Sequence, residues 1–287
     1  MILLFVRFLA TSTRPSILLS FLNAILKLDG NKRIQEVTII NPYLLPRVAG
    51  EKASIIDIRA KDARGQQFVI EMQVADVHGF DKRVQYYTCR DYSTQINKGE
   101  QYQLLKPTYF IGILDFNFFE GTHYLSHHII VNGETYEHKL KDIQFTFIEL
   151  GKFQKTTAEL KSLVEKWVFF IKNAENLSLI PENTTDQGLT EAYKDADKHS
   201  WEKEELIAYD NASIAIQDAR GRLAFAEEAG RAKGKIEGLE QGLQQGIAKE
   251  KQQVVEKCWR KNMSIEDIAE ITELPVEAIQ TIIEQLE

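Results

Sequence analysis

Asp57 and Glu71 are the two side chains whose types and spacing best suit chemistry in this chain. They lie in two short apolar runs, residues 53–60 and 67–74, which have the composition of β-strands and are joined by a loop. If this loop closes a hairpin whose register is centred on Arg64, Asp57 lies directly across from Glu71. Two carboxylates that face each other in an apolar sheet repel, so they either share a proton or bind a cation.

A hard divalent ion, Mg²⁺ or Mn²⁺, suits such a pair because it prefers oxygen ligands and keeps several waters. Asp57, Glu71 and the backbone carbonyl of Met72 would supply the protein oxygens. Gln73, on the same strand face as Glu71, would hold or orient a water at the ion. Such an ion activates water and stabilises charge on a phosphoryl oxygen, which is the chemistry of phosphodiester hydrolysis. The alternative is a solvated sheet edge, where both acids face water and have no chemical role.

A helical stretch from about residue 80 to residue 96 follows the second strand and carries a candidate surface for a phosphate backbone. Arg83, Tyr87 and Arg90 have i, i+4 and i+7 spacing, so they share one helix face, and Lys82 lies beside them. Cations combined with an aromatic ring are typical of nucleic-acid contacts. The alternative is that the tyrosine packs in the core while the cations are solvated.

Several segments taken together resemble a known family. They are EKASIIDIR at 51–59, Gly65, VIEMQ at 69–73 and KRVQYY at 82–87, together with residues 21–26 upstream and residues 98–102 and 109–116 downstream. The pattern resembles the Rpn family of recombination-promoting nucleases, also described as putative transposases. The resemblance covers about residues 17–170 and continues more weakly into the tail.

The Rpn family belongs to the PD-(D/E)XK nuclease superfamily. The resemblance therefore implies a mixed central sheet flanked by helices, metal-dependent cleavage of DNA as an endonuclease, and a role in recombination or in processing of mobile-element-like DNA. It also implies that Asp57 is the metal-binding Asp of the motif, that Glu71 is its Glu, and that Gln73 occupies the Lys position. Because glutamine lacks the positive charge of lysine, its role there would be positioning.

The sequence departs from the family pattern in two places. The stretch before the first helix is shorter than in relatives, and residues 17–28 lack the carboxylate that many superfamily members contribute from that helix. Glu51 and Glu36 are substitutes by position only. These departures leave open a second interpretation, in which the chain is a catalytically inactive DNA-binding or regulatory protein with the same fold.

Periodicity and composition divide the chain into three predicted parts. Residues 1–175 alternate strand-like runs with amphipathic helices, which indicates α/β or α+β packing and, with the resemblance, an α/β PD-(D/E)XK-type nuclease domain. An all-helical tail follows. Residues 176–262 form its helical arm, in which glycines recur every fourth residue from Gly230 to Gly246, and this arm is interpreted as a spacer or a stalk for a homo-oligomer. Residues 263–287 resemble a helix-turn-helix but have no Lys or Arg, which favours packing over groove binding.

Charge and composition narrow the class of protein. The net charge is −7, yet residues 1–175 carry 22 basic and 19 acidic side chains against 13 and 23 in residues 176–287, so a DNA contact belongs to the first part. The tail itself could instead be the active surface of an assembly protein. Cys89 and Cys258 have no neighbours at metal-ligand spacing, which disfavours a zinc module and suits a reducing cytoplasm. Because no apolar run approaches the roughly 20 residues of a membrane span and no export signal is evident, we expect a cytoplasmic protein without a membrane partner.

Overall fold

A computed structural model describes Leu9 and residues 14–44, 54–173, 184–197 and 201–286 of the chain. The chain divides into two compact units, Met1–Arg220 and Gly221–Glu287. No helix in the described part of the chain is long and apolar enough to cross a membrane.

The first unit is built on a mixed β-sheet. In chain order, the strands are β1 (Val37–Ile40), β2 (Tyr43–Leu44), β3 (Ser54–Ile55), β4 (Ile58–Asp62), β5 (Gln67–Gln73), β6 (Thr108–Leu114), β7 (Leu125–Ile129) and β8 (Ile143–Glu149). The main sheet has the order β1-β4-β5-β6-β8-β7, and β2 and β3 form a separate two-stranded ribbon. The central strands β5, β6 and β8 are parallel, while β1, β4 and β7 pair antiparallel with their neighbours. This arrangement confirms the predicted mixed central sheet.

Helices cover both faces of this sheet. In chain order they are α1 (Pro15–Ile25), α2 (Phe80–Ser93), α3 (Leu163–Asn173) and α4 (Gln187–Ala196). Side chains alternate along β5: Phe68, Ile70 and Met72 belong to the core on the side of α1, α3 and α4. Val69 belongs to the smaller core beneath α2, on the opposite face. The face that carries Val69 therefore also carries Glu71 and Gln73.

Helix α4 packs directly on α1, although the sequence places it in the helical arm beyond residue 175. A Cβ added at Gly188 would lie 2.5 Å from the Cβ of Ser20, so only glycine lets the two helices approach this closely. Ser20 donates a hydrogen bond to Asp186 (2.5 Å), the N-cap of α4, and accepts one from the indole of Trp167 in α3 (2.9 Å). These contacts tie α4 to the core of the first unit.

The predicted first strand, residues 53–60, is interrupted. Its beginning, β3, pairs with β2, whereas β4 pairs with β1 and β5. Between them, the backbone N–H of Ile56 donates to the carbonyl of Pro42 (3.1 Å). The chain changes its pairing partner here, and this change leaves Asp57 immediately before β4 rather than within a continuous strand.

The second unit is helical. It contains most of α5 (Lys203–Trp259), which begins in the first unit, together with α6 (Ile265–Thr272) and α7 (Val276–Glu284). Its small core joins Val255, Ile268, Ile279 and Ile283. The tail of the described chain is therefore all-helical, as the sequence predicts.

Candidate active site

The hairpin of β4 and β5 has the register that the sequence predicts. Ile58 pairs with Ile70 and Lys61 with Gln67, so the two strands turn about Arg64. Extended by one residue, this register places Asp57 opposite Glu71. The two acids therefore meet at the carboxyl end of β5, on the sheet face that α2 covers.

Each of the two carboxylates accepts a hydrogen bond from a backbone N–H on the other strand. The N–H of Met72 donates to Oδ2 of Asp57 (2.7 Å), and the N–H of Asp57 donates to the Glu71 carboxylate. Oε1 of Glu71 is buried and has no hydrogen-bond partner among the described residues. A buried carboxylate oxygen without a donor is costly, so this atom is suited to an external ligand.

Burial, and then the negative charge of Asp57, raise the pKa of Glu71 to about 8, against the opposing effects of Arg83 and the Asp57 N–H. Burial also raises the pKa of Asp57, against the Met72 N–H and Arg83. Asp57 is nevertheless exposed by its surface area, whereas Glu71 is buried. Ionisation is therefore more costly for the buried Glu71 than for Asp57. In the absence of a cation, the pair retains a proton near neutral pH.

Arg83 brings a positive charge to the two acids from the first turn of α2. Its guanidinium donates to the side-chain oxygen of Gln73 (2.6 Å) and lies 5.3 Å from the centre of the Phe80 ring. The amide nitrogen of Gln73 donates to the carbonyl of Ala75 (2.8 Å), which fixes the orientation of the amide. Gln73 therefore positions the guanidinium beside the acids.

A cavity of about 490 Å³ opens beside this cluster. Lys82, Arg83 and Tyr87 line it, together with His78, Gly79, Phe80 and Tyr86. Tyr87 also lies close to the acids, since burial and then the charges of Glu71 and Asp57 raise its pKa. Three of the four predicted DNA-binding residues thus border one cavity next to the carboxylates.

The remaining predicted residues have different positions. Arg90 is buried, and its guanidinium donates to the hydroxyl of Tyr86 (2.7 Å), so it is not exposed to a phosphate backbone. Glu36 is exposed before β1, whose pairing of Val37 with Asp62 places it at the opposite end of β4 from Asp57, about 20 Å along the strand. The structure therefore places Arg90 away from the protein surface and Glu36 away from the two acids. Glu51 lies outside the described residues.

Two features of the site are absent from the sequence-based prediction. One is the contact of Arg83 with Gln73, which could have been anticipated because the helix after a parallel strand begins near the end of that strand. The other is Gly112 in β6, which pairs with Glu71, and where an added Cβ would lie 2.8 Å from the Phe147 ring. A glycine inside a buried strand signals such a close approach.

A loop that follows β6 borders the same end of the sheet. It begins where the N–H of Asp115 donates to the carbonyl of Gln73 (3.0 Å). Farther along, the backbone N–H groups of Phe118 and Phe119 donate to the buried carboxylate of Glu149 (2.6 and 3.1 Å), which also pairs with Lys152 (2.8 Å). The loop is thus anchored to the end of β8 rather than to the two acids.

Comparison with known proteins agrees with this geometry. A family model described as PD-(D/E)XK nuclease family transposase matches residues 3–226. Neither the curated proteins nor the solved structures yield a match to the chain. Because the matched region includes the sheet, the paired acids and the helix that carries Arg83, and spans well over half of the sequence, the chain belongs to the family of PD-(D/E)XK nuclease family transposases.

Proposed function

We propose that this protein is a metal-dependent DNA endonuclease that hydrolyses phosphodiester bonds. The observation that carries the proposal is the pairing of Asp57 with Glu71 around a buried carboxylate oxygen that has no donor among the described residues. Membership in the family supports a nuclease-type hydrolase. The DNA substrate, the endonucleolytic mode and a role in recombination or mobile-element-like processing in the cytoplasm are parts of the proposal.

The residues at the site fit a hard divalent cation. Asp57 and Glu71 offer carboxylate oxygens, and we add the backbone carbonyl of Met72 as a third protein ligand. The described residues contain no group of three or more Asp, Glu, His or Cys side chains that could hold a metal. Such a two-carboxylate site suits Mg²⁺ or Mn²⁺, which keep several waters, better than a metal that needs a full set of side chains. When bound, the cation would activate water and stabilise charge on the phosphoryl oxygens.

Arg83 supplies the charge that the motif lacks at Gln73. The motif position is occupied by a neutral amide, but that amide accepts a hydrogen bond from the Arg83 guanidinium. Arg83 lowers the pKa of both acids against the effect of their burial, so its charge acts at the site. A guanidinium there can bind a phosphate oxygen by two parallel hydrogen bonds, which would orient the scissile group beside the carboxylates.

The cavity beside Arg83 provides a path for the DNA backbone. Lys82 is exposed and contributes a cation at its rim, and the rings of Tyr86 and Tyr87 offer flat surfaces next to it. Phosphate contacts by such cations fix the register of a nucleic acid without reading its sequence. We therefore expect backbone contacts here, and cleavage with little dependence on the base that occupies this cavity.

Cleavage of supercoiled plasmid by the purified full-length chain tests the proposal. We expect nicking that requires Mg²⁺ or Mn²⁺ and is lost in Asp57→Ala, while Glu36→Ala, which removes an exposed acid at the far end of β4, leaves it unchanged. Nicking that persists in Asp57→Ala would show that the two acids are not the catalytic pair.

A DNA-binding protein without turnover is the second candidate function. It is favoured by the neutral Gln73 at the lysine position and by the small number of acidic ligands in the described residues. A gel-shift experiment separates the two. If the wild-type chain retards DNA in Mg²⁺ or Mn²⁺ and does not nick it, the binding function holds and the endonuclease proposal fails.

A further inference from the structure

The cavity beside Arg83 is small compared with a DNA duplex. Its volume of about 490 Å³ lies within the range of about 300 to 1,000 Å³ that is usual for sites of small ligands. A sphere of this volume is about 10 Å across, which is less than the width of about 12 Å of the major groove alone. A duplex therefore cannot enter the cavity, whereas a single base with its sugar can.

Tyr86 lines this cavity with an aromatic ring that is held in place from below. The residue is 42% exposed, although its neighbour Arg90 on the next turn of α2 is buried. The guanidinium of Arg90 donates to the hydroxyl of Tyr86 (2.7 Å) and lies 5.8 Å from the centre of its ring. A ring that is already fixed loses little conformational freedom when a ligand stacks on it, which favours binding.

A second ring and two cations complete the lining. The ring of Tyr87, which also lies close to the two acids, has its centre 6.3 Å from that of Tyr86. Lys82 and Arg83 add positive charge to the same cavity. Proteins bind single-stranded nucleic acid with this combination, in which aromatic rings stack on bases while cations contact the phosphates. In a duplex, each base is paired and stacked between its neighbours, so its face is not available to a protein ring.

We propose that the cavity binds one unpaired nucleotide of the DNA substrate, with its base stacked on Tyr86 and its phosphate beside Arg83 and the two acids. The inference rests on the proposed endonuclease function and specifies its substrate class, which is single-stranded or locally unpaired DNA rather than continuous duplex. Because every base has a flat face, this stacking depends little on the DNA sequence.

Binding of DNA in the presence of a chelator tests the inference separately from cleavage. We expect the full-length chain to bind a single strand of thymidines at least about tenfold more tightly than the duplex of that strand with its complement, as measured by fluorescence anisotropy. The duplex has the higher charge density, so the cations alone would favour the duplex. An equal or higher affinity for the duplex would overturn the proposal.

Two substitutions of Tyr86 test the role of its ring. Tyr86→Leu and Tyr86→Phe both remove the hydroxyl that Arg90 contacts, but only Tyr86→Leu removes the ring. We expect Tyr86→Leu to weaken binding of the single strand by about 5- to 150-fold, the range for loss of one stack between a base and an aromatic ring. Tyr86→Phe should retain most of the affinity. An unchanged affinity in Tyr86→Leu, or an equal loss in both variants, would overturn the proposal.

A matched control and a strand without bases separate stacking from charge. Tyr102 is 82% exposed and precedes β6, at the opposite end of the sheet from the acids, so Tyr102→Leu should leave binding unchanged. An abasic strand keeps the phosphates and lacks the bases. Wild type and Tyr86→Leu should bind this strand equally, and both should bind it more weakly than wild type binds the thymidine strand. A wild type that binds both strands equally well would show that the cavity binds phosphate alone and would overturn the proposal.

Nicking of plasmid distinguishes a failure of this inference from a failure of the proposed function. In Mg²⁺ or Mn²⁺, the wild type should nick a negatively supercoiled plasmid, in which local unpairing is favoured, faster than the relaxed closed circle of the same sequence. Equal nicking of the two plasmids would overturn the inference and leave the endonuclease proposal standing. A preference for the single strand without nicking of either plasmid would refute the endonuclease proposal and support the assignment of the cavity.

Discussion

Replacement of Glu71 by Gln is expected to stabilise the metal-free protein at neutral pH while it abolishes cleavage. Burial, and then the charge of Asp57, raise the pKa of Glu71 from 4.5 to about 8. The folded chain therefore keeps this proton to a higher pH than the unfolded chain does. The stability that protonated Glu71 permits is fully present below pH 4.5 and is lost as the pH rises toward 8.

The size of the effect follows from the proton linkage. Between about pH 5 and about pH 7 the unfolded glutamate is mostly ionised and the folded one mostly protonated, and each pH unit corresponds to about 1.4 kcal/mol. Over this interval the free energy of unfolding of the wild type should fall by roughly 2 to 3 kcal/mol relative to that of Glu71→Gln. Glu71 is only 8% exposed, so solvent screens the effect little.

Urea unfolding in the presence of a chelator measures this difference. Wild type, Glu71→Gln and the matched control Glu36→Gln are compared at both pH values, and the control should follow the wild type. Added Mg²⁺ should then stabilise the wild type but not Glu71→Gln, because a ligand that binds only the folded state raises its stability. If wild type and Glu71→Gln keep a constant difference across this pH range without metal, the electrostatic reasoning about the paired acids is refuted.

Four further substitutions test the packing of the first unit and the cations at the site. Gly188→Ala should destabilise the first unit by about 1 to 3 kcal/mol in chemical denaturation, because the added methyl group overlaps α1, and an unchanged midpoint would contradict that close approach. Asp91→Ala should cost about 3 to 5 kcal/mol by the same measurement, since it leaves Arg59 partly buried without the carboxylate that lies 2.6 Å from it. Arg83→Gln should slow nicking by about 10- to 100-fold, as loss of an orienting partner does. Lys82→Gln should instead weaken DNA binding and lower its salt dependence by about one phosphate contact, and equal nicking rates for the two variants would contradict the placement of Arg83 at the acids.

The sequence predicts the central hairpin well because its information is local. The turn about Arg64 and the alternation of side chains fix the register of two adjacent strands, and Asp57 and Glu71 follow from that register alone. The helix predicted from about residue 80 to residue 96 is observed as Phe80–Ser93, because its spacing of apolar residues is equally local. The resemblance to the nuclease family is confirmed by the family match.

Contacts between distant segments could not be predicted in the same way. Local strand propensity does not show that the chain leaves β2 and joins β5 between Ile55 and Ile58, because that change depends on which strands are neighbours. The spacing of Arg83 and Arg90 places them on one face of an isolated helix, but it does not show which part of that face is covered. Packing of the helix buries Arg90 and leaves Lys82 exposed. The sheet order places Glu36 away from the acids, and spacing along the chain does not determine that order.

The separate anchoring of the loop after β6 has a consequence for how this protein can diverge. Glu149 and Lys152 hold the loop to β8, while hydrogen bonds within the hairpin of β4 and β5 hold the two acids. Residues at the outer part of the loop can therefore be exchanged, lengthened or shortened without moving the carboxylates. Under the proposed function, relatives that differ in this loop would differ in where they cut DNA and would keep the same pair of carboxylates.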